Sequence, residues 1–137
     1  MNHLYRPLVL CAVALTFLVI VVGAYVRLED AGLGCPDWPG CYGQMLGVPD
    51  DVHEVARAEQ AYPGKTVDAG RAWKELFHRY LAGTLGMLIL AIAAIAWRRR
   101  VEIGRSPALA TALVLLVAVQ ATLGMWTVTM LLKPAIV

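Results

Sequence analysis

Charge is missing from three long stretches of this chain. No Asp, Glu, Lys or Arg occurs from Pro7 to Val26, from Tyr80 to Trp97, or from Ser106 to Leu132. Each run meets or exceeds the roughly 18 to 20 residues needed to cross a bilayer core of about 30 Å. With 59% hydrophobic residues among 137 and a mean hydropathy of +0.63, an ordinary soluble domain of this size is excluded. Cysteine and histidine are scarce, at three each, and no Cys-x-x-Cys occurs, which argues against a thioredoxin-like motif. No internal repeat or interrupted apolar segment is present, which argues against a small transporter subunit.

The charge-free runs read as three transmembrane helices in an all-α integral membrane protein, a single membrane domain over 1–137. The spans are 7–26, 72–97 and 106–132, joined by a long loop over 27–71 and a short link over 98–105. The first run exceeds a signal-peptide core of about 7 to 15 residues. Only Arg6 precedes it as a positive flank, and no small-x-small site with a polar sequel follows, so it reads as an uncleaved helix. Arg98, Arg99, Arg100 and Arg105 crowd the short link against the lone Glu102. By the positive-inside rule that link and the N-terminus are cytoplasmic, and the 27–71 loop is extracytoplasmic. The expected location is the cell (inner or plasma) membrane, multi-pass, with lipid as a partner. The net charge of +2 reflects this topology. No basic face is left over, so nucleic acid is not a partner.

The loop opens with Gly32-Leu33-Gly34-Cys35-Pro36-Asp37-Trp38-Pro39-Gly40-Cys41, a compact turn-rich segment. Cys35 and Cys41 fall on the oxidising side, where disulfides persist. A structural disulfide and a redox-active pair are both open readings. Cys11, in the first span, reads as a small apolar side chain. Asp51 and Glu54 suggest an acidic capping box opening a short surface helix that ends before Pro63-Gly64. His53 belongs to its solvated face.

Chemistry concentrates at Glu75-Leu76-Phe77-His78-Arg79, where the loop enters the second span. Glu75 and His78 are three apart and share a helix face. Ionisable groups at a membrane mouth are costly to desolvate and are read first as functional. The histidine can bind a metal or a heme iron, and the carboxylate can stabilise positive charge or move a proton. Below them Ala82, Gly83 and Gly86 permit close approach of a helix or a flat macrocycle. In the third span Gln120, Gly124 and Thr127 form one stripe, expected to face the bundle interior and hydrogen-bond between helices. Lys133-Pro134 marks the end of that span.

Three of these segments together resemble the heme A synthase family, in its cysteine-containing bacterial branch. They are the Gly32–Pro39 loop, the Glu75-x-x-His78-Arg79 motif, and Gln120-Ala121-Thr122-Leu123-Gly124-Met125-Trp126-Thr127-Val128-Thr129. The likeness runs along nearly the whole chain. It implies a membrane oxidoreductase that converts a methyl group of heme O to the formyl group of heme A for cytochrome oxidase assembly, with water as oxygen source. The family has two similar four-helix halves, each holding a heme between two histidines: heme O as substrate, and heme B as the second heme. Carried over, His78 is an axial ligand to heme iron in the substrate half, and Glu75 is the catalytic carboxylate. Cys35 and Cys41 form the loop disulfide. Arg27 and Arg79 are candidates for heme propionates by charge and position.

The resemblance further implies an N-terminal portion of a longer enzyme, with three helices of an incomplete four-helix half. The opposing axial histidine would lie beyond Val137, since neither His3 nor His53 is placed to supply it. A homo-oligomer could bring two His78 residues together. Other expected partners are an unidentified electron acceptor and, by family role, heme O synthase or oxidase assembly proteins. Two other classes fit the same residues: a non-catalytic heme-binding or assembly module, and a disulfide-forming membrane oxidoreductase using Cys35 and Cys41.

Overall fold

The structure is a computed structural model that describes residues 4–103 and 106–130. Expectations for His3, Arg105 and the Lys133-Pro134 helix end lie outside the described residues. Among those residues the helices are α1 (Tyr5–Leu28), α2 (Val52–Ala61), α3 (Ala69–Arg98), the single turn α4 (Arg100–Ile103) and α5 (Ala108–Thr129). No strand occurs among the described residues, and α1, α3 and α5 are long and apolar enough to cross a membrane.

Helix α3 begins three residues before the expected start at Ala72. Asp68 is extended, and its carboxylate accepts the Arg71 N–H at 3.0 Å, satisfying one of the orphan donors of the first turn. Thirty residues at 1.5 Å each give a rod of about 45 Å, longer than a bilayer core. Its charge-free part runs from Tyr80 to Trp97, so the first turns, with Glu75 and His78, precede that run, and Ala72 and Leu76 there pack against the loop. The expected capping box on α2 does not form. Asp51 occupies the N-cap position, but its side chain makes no cap hydrogen bond. Packing holds α2 instead, through the buried Ala58, while Glu59 accepts the Val67 N–H at 3.2 Å.

α1 and α3 pack antiparallel. Ala12, Leu85 and Ile92 form the centre of their seam, flanked by Leu8, Val19 and Leu88. α5 packs on another side of α3. A Cβ built on Gly86 would lie 3.7 Å from Val117, so this glycine serves a helix contact. The Trp97 indole N–H donates to the Thr111 hydroxyl at 2.9 Å. Among the described residues α1 and α5 do not meet, so α3 is the middle of a row rather than one wall of a closed bundle.

The expected interhelical role of the Gln120 stripe is not seen among the described residues. Gln120 and Gly124 are exposed, and the threonines bond to their own helix: Thr122 to the Ala118 carbonyl at 2.9 Å and Thr127 to the Gly124 carbonyl at 2.7 Å. The reason is the row: that stripe of α5 has no described helix facing it.

The loop and α2 gather into a cap over the first turns of α3. Its core is Cys35, Cys41, Tyr42, Val48, Ala58, Ala72 and Leu76. The closest approach is at Gly34. A Cβ there would come 2.7 Å from the backbone nitrogen of Ala72 and 2.7 Å from the carbonyl carbon of Arg71. Neither atom can move without bending α3. Gly34→Ala should therefore lift the cap and cost about 1–3 kcal/mol by overpacking. Thermal unfolding in detergent checks this, with the same substitution at Gly83, which faces open space, as the neutral comparison.

Candidate functional site

The cap is organised by a tight turn. Cys41 and Gln44 exchange backbone hydrogen bonds at 2.9 and 3.0 Å across Tyr42 and Gly43. Both central residues have positive φ, 51° and 79°, as a type I′ turn requires. Gly43 adopts this freely, whereas Tyr42 does so under strain. Asp37 offsets the strain: one carboxylate oxygen accepts the Tyr42 N–H at 2.6 Å and the other the Gly43 N–H at 2.8 Å. The Tyr42 ring meets Tyr62 edge-on at 5.7 Å, and its hydroxyl donates to the Thr66 carbonyl at 3.3 Å. Burial, reinforced by Glu59 and then Asp37, raises the Tyr42 phenol above its ordinary pKa, so it remains a donor.

Cys35 and Cys41 form a disulfide, with Cα atoms 4.8 Å apart, and both are fully buried. This closes the segment that carries Asp37, the cis Trp38–Pro39 bond and Gly40. Arg79 projects from α3 into that closed segment. Its Nη1 donates to the carbonyls of Asp37 at 2.8 Å, Pro39 at 3.5 Å, and Gly40. Its Nη2 pairs with Glu75 Oε1 one helical turn earlier. The second Glu75 oxygen accepts the Cys35 N–H at 2.9 Å. Glu75 is only 5% exposed. Both carboxylate oxygens are thus held, one by a guanidinium and one by the backbone of a disulfide cysteine.

His78 is half-buried and turns toward α1. Its nitrogen-bearing edge lies against Gly23: a Cβ built there would come within 2.8 Å of Cε1 and 3.3 Å of Nε2. Nδ1 is buried with no hydrogen-bond partner among the described residues. Arg27 is exposed at the end of α1. Near it Lys74 pairs with Glu29 at 2.6 Å and lies 5.3 Å over the Tyr25 ring, an exposed tie of small energetic value. His53 is exposed on α2, away from these groups.

The structure therefore joins Cys35, Cys41, Glu75 and Arg79 in one network and sets His78 beside it on the next turn of α3. Arg27 stays outside the network. Sequence reasoning missed Gly23, Asp37 and Tyr80. Tyr80 donates its hydroxyl to the Met45 carbonyl at 3.0 Å and accepts the Gly47 N–H at 3.3 Å, tying the loop to α3. Asp37 was visible as an acid flanked by prolines in a turn-rich run. Nothing local signals Gly23, because its partner lies on another helix.

These features define a helical membrane protein in which a disulfide-closed cap fixes a carboxylate beside a histidine at a helix mouth. The chain belongs to the COX15-CtaA family, described as cytochrome oxidase assembly protein, whose signature it matches over residues 6–137. Among curated relatives, the heme A synthase of Shewanella oneidensis is 49% identical over 123 residues, 89% of this chain and 36% of that protein. The heme A synthase of Sphingopyxis alaskensis is 33% identical over 131 residues, 87% of this chain and 37% of the relative. That of Bacillus licheniformis is 29% identical over 126 residues, 90% and 35%. The chain spans about a third of the length of these relatives. No solved structure matches it at a significant level.

Removing Arg79 leaves a buried carboxylate without its cation, a loss of about 3–5 kcal/mol. Arg79→Leu should therefore unfold at a much lower temperature. Arg79→Lys should restore only part of the loss, because a point charge cannot span the carboxylate and the loop carbonyls together. Denaturation of both variants in detergent checks the order.

Proposed function

We propose that this chain forms part of the substrate half of a membrane oxidoreductase that converts a methyl group of heme O to the formyl group of heme A for cytochrome oxidase assembly. Family membership and the named relatives support the activity. The observation that carries the site is the placement of Glu75 and His78 on adjacent turns of α3 beneath the cap, with the carboxylate held on both oxygens and the imidazole left free.

The residues fit a heme. Among the described residues no three His, Cys, Asp or Glu side chains come together as a metal site. A lone histidine suits a metal that brings a macrocycle of its own and needs only an axial nitrogen. The unpartnered Nδ1 and the seat of the ring against Gly23, where a Cβ would come within 2.8 Å of Cε1, agree with a ring placed for ligation. His78 would hold the iron and thereby orient the substrate. Glu75 would be a preorganised anion near the substrate's edge, able to stabilise positive charge there without reorganising. Methyl-to-formyl oxidation with water as the oxygen source releases protons and electrons, so an electron acceptor takes part. Heme B would be the second heme of the complete enzyme.

Arg27, exposed at the mouth, is the better placed cation for a heme propionate. Arg79, engaged with Glu75 and three carbonyls, would act by positioning the carboxylate and the cap. The disulfide would be structural, since its cysteines are buried and one of them anchors Glu75. By the positive-inside rule, Arg98, Arg99 and Arg100 would put their end of α3 on the cytoplasmic side of the cell membrane and the cap on the other side.

The test is heme extraction from cells that depend on this protein at its natural length for heme A. Glu75→Gln keeps the size of the side chain and an acceptor for the Cys35 N–H but removes the charge. It should lower heme A by about 100-fold or more, with heme O accumulating. His78→Ala should do the same. Undiminished heme A from either variant would overturn the assignment of that residue.

A further inference from the structure

We infer that Gly23 of α1 is a positioning residue for His78: its missing side chain sets the orientation of the imidazole and thereby the direction from which Nε2 meets a flat ligand. The inference rests on the heme reading above. Three observations carry it.

The first is steric. A Cβ at position 23 would sit 2.8 Å from Cε1, 3.3 Å from Nε2 and 3.5 Å from Nδ1 of His78. The obstruction is an aromatic ring, which cannot bend at its tip as a flexible chain can. An added methyl group would force the ring to rotate about its side-chain bonds, moving Nε2, or would force α1 away from α3.

The second is that α1 is not free to retreat. Ala12, Leu85 and Ile92 pack along the seam, and Val19, one turn from Gly23, packs against them. Rotation of the ring is therefore the easier response.

The third is the unpartnered Nδ1. A metal-binding histidine is ordinarily oriented by a hydrogen bond from its other ring nitrogen to a carboxylate, carbonyl or water. Among the described residues His78 has no such bond. Close contact with the Gly23 backbone takes over that orienting role, so the glycine does by packing what a hydrogen bond does elsewhere. Gly83, on the same helix as His78 but facing open space, carries no such contact.

The experiment compares Gly23→Ala, Gly32→Ala, His78→Ala and the Gly23→Ala/His78→Ala double variant in the natural-length protein purified with its heme. Heme content and absorption spectrum are read beside the thermal midpoint. The difference between wild type and His78→Ala defines the His78-dependent heme. Gly23→Ala should reduce that fraction by about tenfold or more, or convert its spectrum from low to high spin, as loss of an orienting partner does. Gly32→Ala, at a glycine where an added Cβ would meet nothing, should leave it unchanged. The midpoint should fall in Gly23→Ala and recover in the double variant, because the clashing ring is gone.

Wild-type heme and spectrum in Gly23→Ala, with heme lost from His78→Ala, would overturn the role of Gly23 and leave the heme reading standing. Unchanged heme in His78→Ala would overturn the heme reading itself. Should Gly23→Ala fail to fold, the double variant decides. Recovery of folding supports the contact, and equal failure in both backgrounds overturns it.

Discussion

The structure turns on one buried ion pair. A carboxylate removed from water costs several kcal/mol unless a cation and further donors meet it. Glu75, 5% exposed, satisfies that demand with Arg79 on one oxygen and the Cys35 N–H on the other. Arg79 in turn is held by the carbonyls of Asp37, Pro39 and Gly40. Those carbonyls converge only because the disulfide closes the segment and Asp37 stabilises the left-handed turn at Tyr42 and Gly43. The cap thus has little freedom relative to α3. Its cysteines, prolines and glycines serve to present a ring of acceptors to one guanidinium.

That arrangement gives neighbouring residues on α3 different tasks. Glu75 and Arg79, one turn apart, face the cap, while His78 faces α1. Gly86, lower on the helix, faces α5. An imidazole with an unpartnered nitrogen therefore sits at the edge of a rigid electrostatic assembly without belonging to it. The proposed heme site uses that division: Glu75 is held in place on both oxygens, and His78 keeps an unpartnered nitrogen among the described residues. The division also separates the small residues by purpose: Gly34 admits the cap to α3, Gly23 admits the imidazole to α1, and Gly86 admits α5.

The helical architecture was legible because lipid leaves the backbone few choices. Chain crossing a bilayer must satisfy its own N–H and C=O groups, so long charge-free runs become helices. That Glu75 and His78 lie three apart on one helix was legible because helical periodicity is local, whereas their different partners, the cap for Glu75 and α1 for His78, were not. Less could be read where partners are distant in sequence. Arg79 was visible as a charge at a membrane mouth, and only the folded cap shows which carbonyls it meets. The Gln120 stripe was read as interhelical because polar groups in lipid seek partners; among the described residues the row of α1, α3 and α5 sets no helix against it. The Asp51–Glu54 spacing matched a capping box, yet packing of Ala58 holds α2 without one. Gly23 carried no local signal at all.

The most direct single measurement is a cryo-EM map of the natural-length protein with heme bound, at a resolution that shows side chains. Iron should lie on Nε2 of His78 beside Gly23, with Glu75 still bridging Arg79 and the Cys35 N–H. Iron ligated elsewhere with His78 turned away from it, or a Glu75 released from both partners, would contradict the site described here.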